Sequence, residues 1–343
     1  SWSPNGKWLV FSSKAYSIYT QLMLTHIDQQ GRSTPPVVLS RFTAPERAAN
    51  IPEFVNAKPD AIRSITAAFL DDNNYYRAGE EFVRQDDPLG AVPLFEKAVE
   101  LNPKHVLARL RLATISMDLG KIDEAKSHLD AVIACEPDSA GAHHLLGVIA
   151  SRQGNRTQAV EHLRRALRVE PDFFAAHLSL GLVLVETGNL AEAERHFVKA
   201  VWLQPDDPFA NYYYGYVLHR QGKLEEAAGR YSRALDKDPE SVPALLALAV
   251  MRMKPELPLW HDPQQAVSLA ETACKLTGRR SPDPLKILAA AYAAGGRNRD
   301  ALDTANEALR LARTAGDLEL AGRIELDRET YERAVAQGKA ARP

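Results

Sequence analysis

The sequence has little cysteine: only Cys135 and Cys274 in 343 residues, far apart and without a C-x-x-C pair. That excludes a disulfide framework and a cysteine-based zinc knuckle. No run approaches the ~18 apolar residues of a membrane-spanning helix, and no basic stretch leading into an apolar one opens the chain. Direct membrane insertion is therefore not expected. An excess of either charge is also missing, since 42 Lys plus Arg stand against 44 Asp plus Glu, a formal charge of −2. That balance gives nucleic acid or an anionic membrane no electrostatic reason to bind. Several enzyme signatures are absent as well: there is no G-x-x-x-x-G-K-[ST], no H-E-x-x-H and no G-x-S-x-G. No catalytic, cofactor-binding or metal-ligating constellation is expected. What is there, 45% hydrophobic and 25% charged residues with 7% aromatic, suits a globular chain long enough for about two domains.

The strongest positive signal is repetition. Pro103, Pro137, Pro171, Pro205 and Pro239 are each 34 residues apart. With this proline numbered as position 32 of a unit, other residues fall into columns. Position 8 holds Gly79, Ala113, Gly147, Gly181, Gly215 and Ala249; position 15 holds Gly120, Gly154, Gly188 and Gly222. Position 20 is Ala91, Ala125, Ala159, Ala193 and Ala227; position 24 is Phe95, Leu129, Leu163, Phe197 and Tyr231. Position 27 is Ala98, Val132, Ala166, Ala200 and Ala234. Small residues at 8 and 20 let two antiparallel helices approach, and the larger residue at 24 fills the space between them, with the residue at position 7. Glycine at 15 suits the left-handed residue that ends a first helix, and proline at 32 stops the second.

This pattern resembles the tetratricopeptide repeat. The resemblance implies a mostly α solenoid of about seven helical hairpins over residues 72–315: units 72–105, 106–139, 140–173, 174–207, 208–241, an irregular one at 242–281, and 282–315. The irregular unit needs about five extra residues before Ala266 can serve as position 20, and the segment KPELPLWHDP is the expected loop. Pro93 inside the second helix of the first unit is expected to kink it. Residues 316–336 read as a capping helix with Leu318, Ile324, Tyr331 and Val335 among many charges, and 337–343 as a disordered tail.

Residues 1–40 differ. SWSPNGKWLVFSS places turn chemistry at Pro4-Asn5-Gly6 before the β-rich run Trp8-Leu9-Val10-Phe11, and further short runs follow around Leu22 to Thr25 and Val37 to Leu39. The segment resembles the blade signature of TolB-like β-propellers, with Asn5 where aspartate is usual. The expectation is one partial blade, joined by a proline-containing linker at 41–71 to the helices. The chain opens with serine in the middle of this motif, so further blades and any signal peptide are expected upstream. The resemblance implies a bacterial periplasmic or cell-envelope setting, with the cytoplasm as the alternative.

Several side chains invite a functional reading. His128, His162 and His196 share position 23, and His143 and His177 share position 4. Equivalent histidines sit one repeat apart, too far to share an ion that both must reach within ~2.1 Å, so packing between hairpins is expected. Charges at position 13 alternate as Arg84, Asp118, Arg152, Glu186, Arg220 and Lys254 and read as a solvated face. The run Tyr212-Tyr213-Tyr214 with Tyr216 is more distinctive, because Tyr212 and Tyr216 are four residues apart on one helix face. The tetratricopeptide resemblance places positions 2, 5, 9, 12 and 13 in a concave groove. The candidate partner-binding residues are then His144, Val148 and Arg152; Leu178 and Leu182; and Phe209, Tyr212, Tyr216, His219 and Arg220. The Lys and Asn clamp by which some relatives hold a chaperone's terminal carboxylate is not matched, since position 5 is Tyr76, Leu110, His144, Leu178 and Tyr212. The expected function is a non-enzymatic scaffold or adaptor that holds a peptide or protein partner; the alternative is a non-catalytic accessory region of a hydrolase or redox enzyme encoded upstream. Partner identity and oligomeric state stay open.

Overall fold

The computed structural model describes residues 8–13, 21–26, 37–38 and 71–340. The turns expected at Pro4-Asn5-Gly6 and Gly31, the linker expected at 41–71 apart from Asp71, and the last three residues lie outside these. Three short strands, β1 (Trp8–Ser13), β2 (Gln21–His26) and β3 (Val37–Val38), pair antiparallel in that order. Val10 lies opposite Leu24, and Leu24 opposite Val37. From Asp72 on, the described chain is helical hairpins, and it divides into two compact units, residues 1–155 and 156–343.

The helices of the first unit are α1 (Asp72–Arg84), α2 (Pro88–Leu101), α3 (Val106–Asp118), α4 (Ile122–Cys135) and α5 (Ala140–Arg152). Asp71 and Asp87 start α1 and α2 by accepting from the backbone N–H groups of Asn74 and Gly90 at 2.7 and 2.8 Å, which satisfies donors that a helix start leaves unpaired. Helix α2 runs through Pro93 without interruption. Phe95, Leu112 and Ile115 form one core with Ala91, Ala98 and Ala108; Leu129, Val132, Met117 and Ile149 form the next.

The second unit contains α6 (Arg156–Val169), α7 (Phe174–Glu186), α8 (Leu190–Leu203), α9 (Pro208–Arg220), α10 (Leu224–Lys237), α11 (Val242–Arg252), α12 (Pro263–Leu276), α13 (Pro282–Ala294), α14 (Asn298–Thr314) and α15 (Leu318–Ala340). Each helix packs on the next in sequence; in addition α7 touches α9, α11 touches α13 and α13 touches α15. The odd-numbered helices thus form one layer and the even-numbered ones the other. Gly188 and Gly222 follow α7 and α9 with φ of 78° and 80°, a backbone state that an L side chain resists. The ten residues from Met253 to Asp262 join α11 to α12 as an ordered loop: Leu257 is buried, and the Arg252 guanidinium lies 4.9 Å from the Trp260 ring.

The C-terminal helix differs from expectation in two ways. It continues to Ala340, into the segment expected to be disordered. Leu318 is 79% exposed, and Leu320 and Ala321 join Ile324 and Tyr331 in the core. The reason is the cap: Asp317 accepts from the Leu320 N–H at 2.9 Å, so Leu318 is the first helical residue and its side chain falls outside the buried stripe of positions 320, 321, 324 and 331.

Candidate functional site

The small-residue columns determine how the candidate face is built. Ala91, Ala125, Ala159, Ala193 and Ala227 are fully buried, as are the position-27 residues. A third fully buried column, Ala108, Ala142, Ala176, Ala210 and Ala244 at position 3, repeats at the same 34-residue spacing. At position 8, three glycines leave room for an aromatic ring at position 24, although Gly147 shares its unit with Leu163. A Cβ built on Gly79, Gly181 or Gly215 would come within 2.5–2.9 Å of the ring of Phe95, Phe197 or Tyr231, respectively. Ala113, by contrast, faces a unit whose position 24 is Leu129.

Position 4 is a second feature that the columns hid. Arg109 Nε donates to the Pro103 carbonyl at 2.7 Å, His143 Nε2 to Pro137 at 3.0 Å, His177 Nε2 to Pro171 at 2.9 Å, and Asn211 Nδ2 to Pro205 at 2.8 Å. Each binds the position-32 proline of the preceding repeat and so closes the seam between hairpins. The histidines at position 4 are therefore seam donors. The carbonyl can only accept, so His177 carries its proton on Nε2 and presents Nδ1 as an acceptor, 2.9 Å from Nδ1 of His196. Burial, and then the neighbouring His177, push His196 down to about 4; burial also lowers His177. Among the described residues no three His, Cys, Asp or Glu side chains converge on a possible metal position. Three of the position-13 charges are met locally: Glu186 by Arg156 at 3.2 Å, Lys254 by Glu256 at 3.3 Å, and Arg220 by the Tyr216 hydroxyl.

Of the candidate groove residues, His144, Val148 and Arg152 lie on α5 in the first unit; Leu178 and Leu182 on α7 and the other five on α9 in the second. On the neighbouring helices α7 and α9, Leu178, Leu182, Tyr212, Tyr216 and His219 are half-buried, while Phe209 is 46% exposed and Arg220 is exposed. The tyrosines divide by role. Tyr214 is buried below the Arg230 guanidinium, 4.7 Å from its ring. Tyr213 stacks on Phe197 of α8 at 6.1 Å and meets Phe209 at 4.6 Å. Tyr212 and His219 both pack on the buried ring of Tyr231, at 5.8 and 6.5 Å. Burial raises the Tyr212 hydroxyl and lowers His219 from their ordinary ranges. Tyr216 is half-buried like Tyr212, and Arg220 Nη1 donates to its hydroxyl at 2.9 Å.

Two family models described as tetratricopeptide repeat match residues 82–149 and 144–208. A third, the cilia and flagella-associated protein 70 middle TPR-like domain, matches residues 186–312. Tetratricopeptide-repeat models thus match residues 82–208, and a TPR-like model extends the match to residue 312. Solved structures agree on the fold. PilF of Pseudomonas aeruginosa is 18% identical over 60% of this chain and 92% of its own, with a TM-score of 0.54. A chain of the APC/C hetero-tetramer Cut9-Hcn1 is 16% identical over 74% of this chain and 49% of its own, with a TM-score of 0.57. No curated protein sequence matches significantly. The family matches begin at residue 82, so the propeller resemblance of residues 1–40, and the bacterial envelope setting drawn from it, are without support. No described helix is long and apolar enough to cross a membrane.

Proposed function

We propose that this tetratricopeptide-repeat chain is a scaffold or adaptor, not a catalyst, and that the odd-numbered helix layer holds a peptide or protein partner. The observation that carries this reading is the surface of α7 and α9. There Phe209 is exposed and Tyr216 half-buried on α9, Leu178 and Leu182 are half-buried on the neighbouring α7, and Arg220 is hydrogen-bonded to Tyr216. Stiff aromatic side chains with a polar tip beside an arginine are the residue types that dominate binding energy at protein interfaces. His144, Val148 and Arg152 of α5 supply the corresponding positions of the first unit.

The test begins with partners captured by the full chain and continues as a titration of the tightest one, purified. Tyr216→Ala should weaken it by about 2 kcal/mol, close to 30-fold. Tyr212→Ala should lower stability as well, because its ring packs on Tyr231. Unchanged affinity in Tyr216→Ala together with Phe209→Ala would remove the reading.

A further inference from the structure

We propose a second docking surface, on the even-numbered layer: a trough along α6 that takes an acidic peptide segment in extended conformation. It is independent of the odd-helix face. A cavity of about 490 Å³ is lined by Arg156, Thr157, Val160, Glu161, Arg164 and Arg168 of α6 and by Thr187 at the end of α7. Arg156, Val160, Arg164 and Arg168 are spaced by four residues, so they lie in one row along the helix. The row is about 18 Å long at 1.5 Å per residue, the reach of five or six residues of extended chain.

The chemistry of the lining selects the ligand. Three guanidiniums and the Glu161 carboxylate line the cavity, and two further carboxylates, Glu186 and Glu192, each meet one of the guanidiniums, so it is spare N–H donors rather than net charge that the trough offers. Arg156 uses Nε to meet Glu186 at 3.2 Å, and Arg164 uses one Nη to meet Glu192 at 2.7 Å. A guanidinium has five N–H donors, so both keep donors for a further acceptor, and both are about half exposed. Arg168 is exposed and has no ion-pair partner among the described residues. Val160 supplies an apolar floor between them. A planar fork of donors matches a carboxylate in two-point contact. In an extended chain alternate side chains share one side about 6.6 Å apart, close to the 6 Å rise between Arg164 and Arg168. Alternating acidic residues therefore fit the row.

The probe is a fluorescein-labelled ten-residue peptide of alternating Glu and Ala, followed by fluorescence anisotropy with the full chain. Binding should be saturable, weaken as salt is raised, and fall at least tenfold in Arg168→Gln and in Arg164→Gln/Arg168→Gln. Arg164→Lys should also weaken it, because the charge stays but the fork is lost. Arg310→Gln, an exposed arginine on α14, serves as the charge-matched control and should bind as the parent does. Thermal melts of each variant separate lost binding from lost folding: Arg168→Gln breaks no ion pair and should melt unchanged. No saturable binding, equal loss in Arg310→Gln, or equally tight binding of a single-stranded oligothymidine would each overturn the proposal.

Discussion

At the scale of single residues, Gly181 and Phe197 test the close approach of glycine and ring at position 8. The added Cβ of Gly181→Ala would sit 2.7 Å from Phe197 Cζ, and overpacking of this kind costs about 1–3 kcal/mol. Adding Phe197→Leu, which recreates the Ala113 and Leu129 combination of the second repeat, should return part of that loss. A double-mutant cycle in denaturant should show coupling; additive losses would mean that the ring is not the obstacle. Asp86 offers a gain. It occupies position 15 of the first repeat with φ 61°, where later repeats use glycine, so Asp86→Gly should stabilise by roughly 0.5–1 kcal/mol. A thermal melt checks it. His177 and His196 give the pH dependence. Both are lowered by burial from their unfolded value near 6.5, His196 to about 4. Between those limits the unfolded chain binds more protons, so their contribution is full above about pH 6.5 and is lost as pH falls towards 4. Denaturant midpoints should drop across that window, and His196→Gln should flatten the slope; an unchanged slope would show that the pair does not titrate on unfolding.

At the scale of elements, the seam bonds explain why one hairpin fixes the next. Asn211 is fully buried and donates to the carbonyls of Pro205 and Asp207. Asn211→Leu should leave the Pro205 carbonyl unmatched, while the Asp207 carbonyl keeps the backbone N–H of residue 211 at 3.2 Å, and cost about 1–3 kcal/mol. Hydrogen exchange should rise mainly in α8, α9 and α10, because coupling in a repeat array runs between neighbours; a uniform rise from α6 to α15 would contradict that. The seam also shows what the sequence conceals. Columns filled by one small residue type, such as alanine at position 20, stand out because burial between helices admits nothing larger. Position 4 is occupied by Arg109, His143, His177 and Asn211, three residue types that share only an N–H reaching a proline carbonyl. Residue type alone collects the two histidines but not Arg109 or Asn211. Leu318 was misplaced for a related reason: apolar spacing alone does not reveal that Asp317 caps the helix one residue before it.

At the scale of the whole molecule, the helical array was legible from 34-residue spacing, because each hairpin repeats the same packing problem and solves it with the same residues. The candidate face was legible only in outline. Periodicity places Tyr212 and Tyr216 on one side of α9, but it cannot tell a ring packed on Tyr231 from one whose hydroxyl accepts from Arg220. Those fates depend on a neighbour 19 residues away or on a hydrogen bond, not on the helical period. If the odd-numbered layer of residues 156–343 is where a partner binds, hydrogen exchange of the full chain with and without its purified, tightest partner should show added protection concentrated in residues 174–186 and 208–220, the spans of α7 and α9. Protection confined to even-numbered helices, or absent from both α7 and α9, would contradict it.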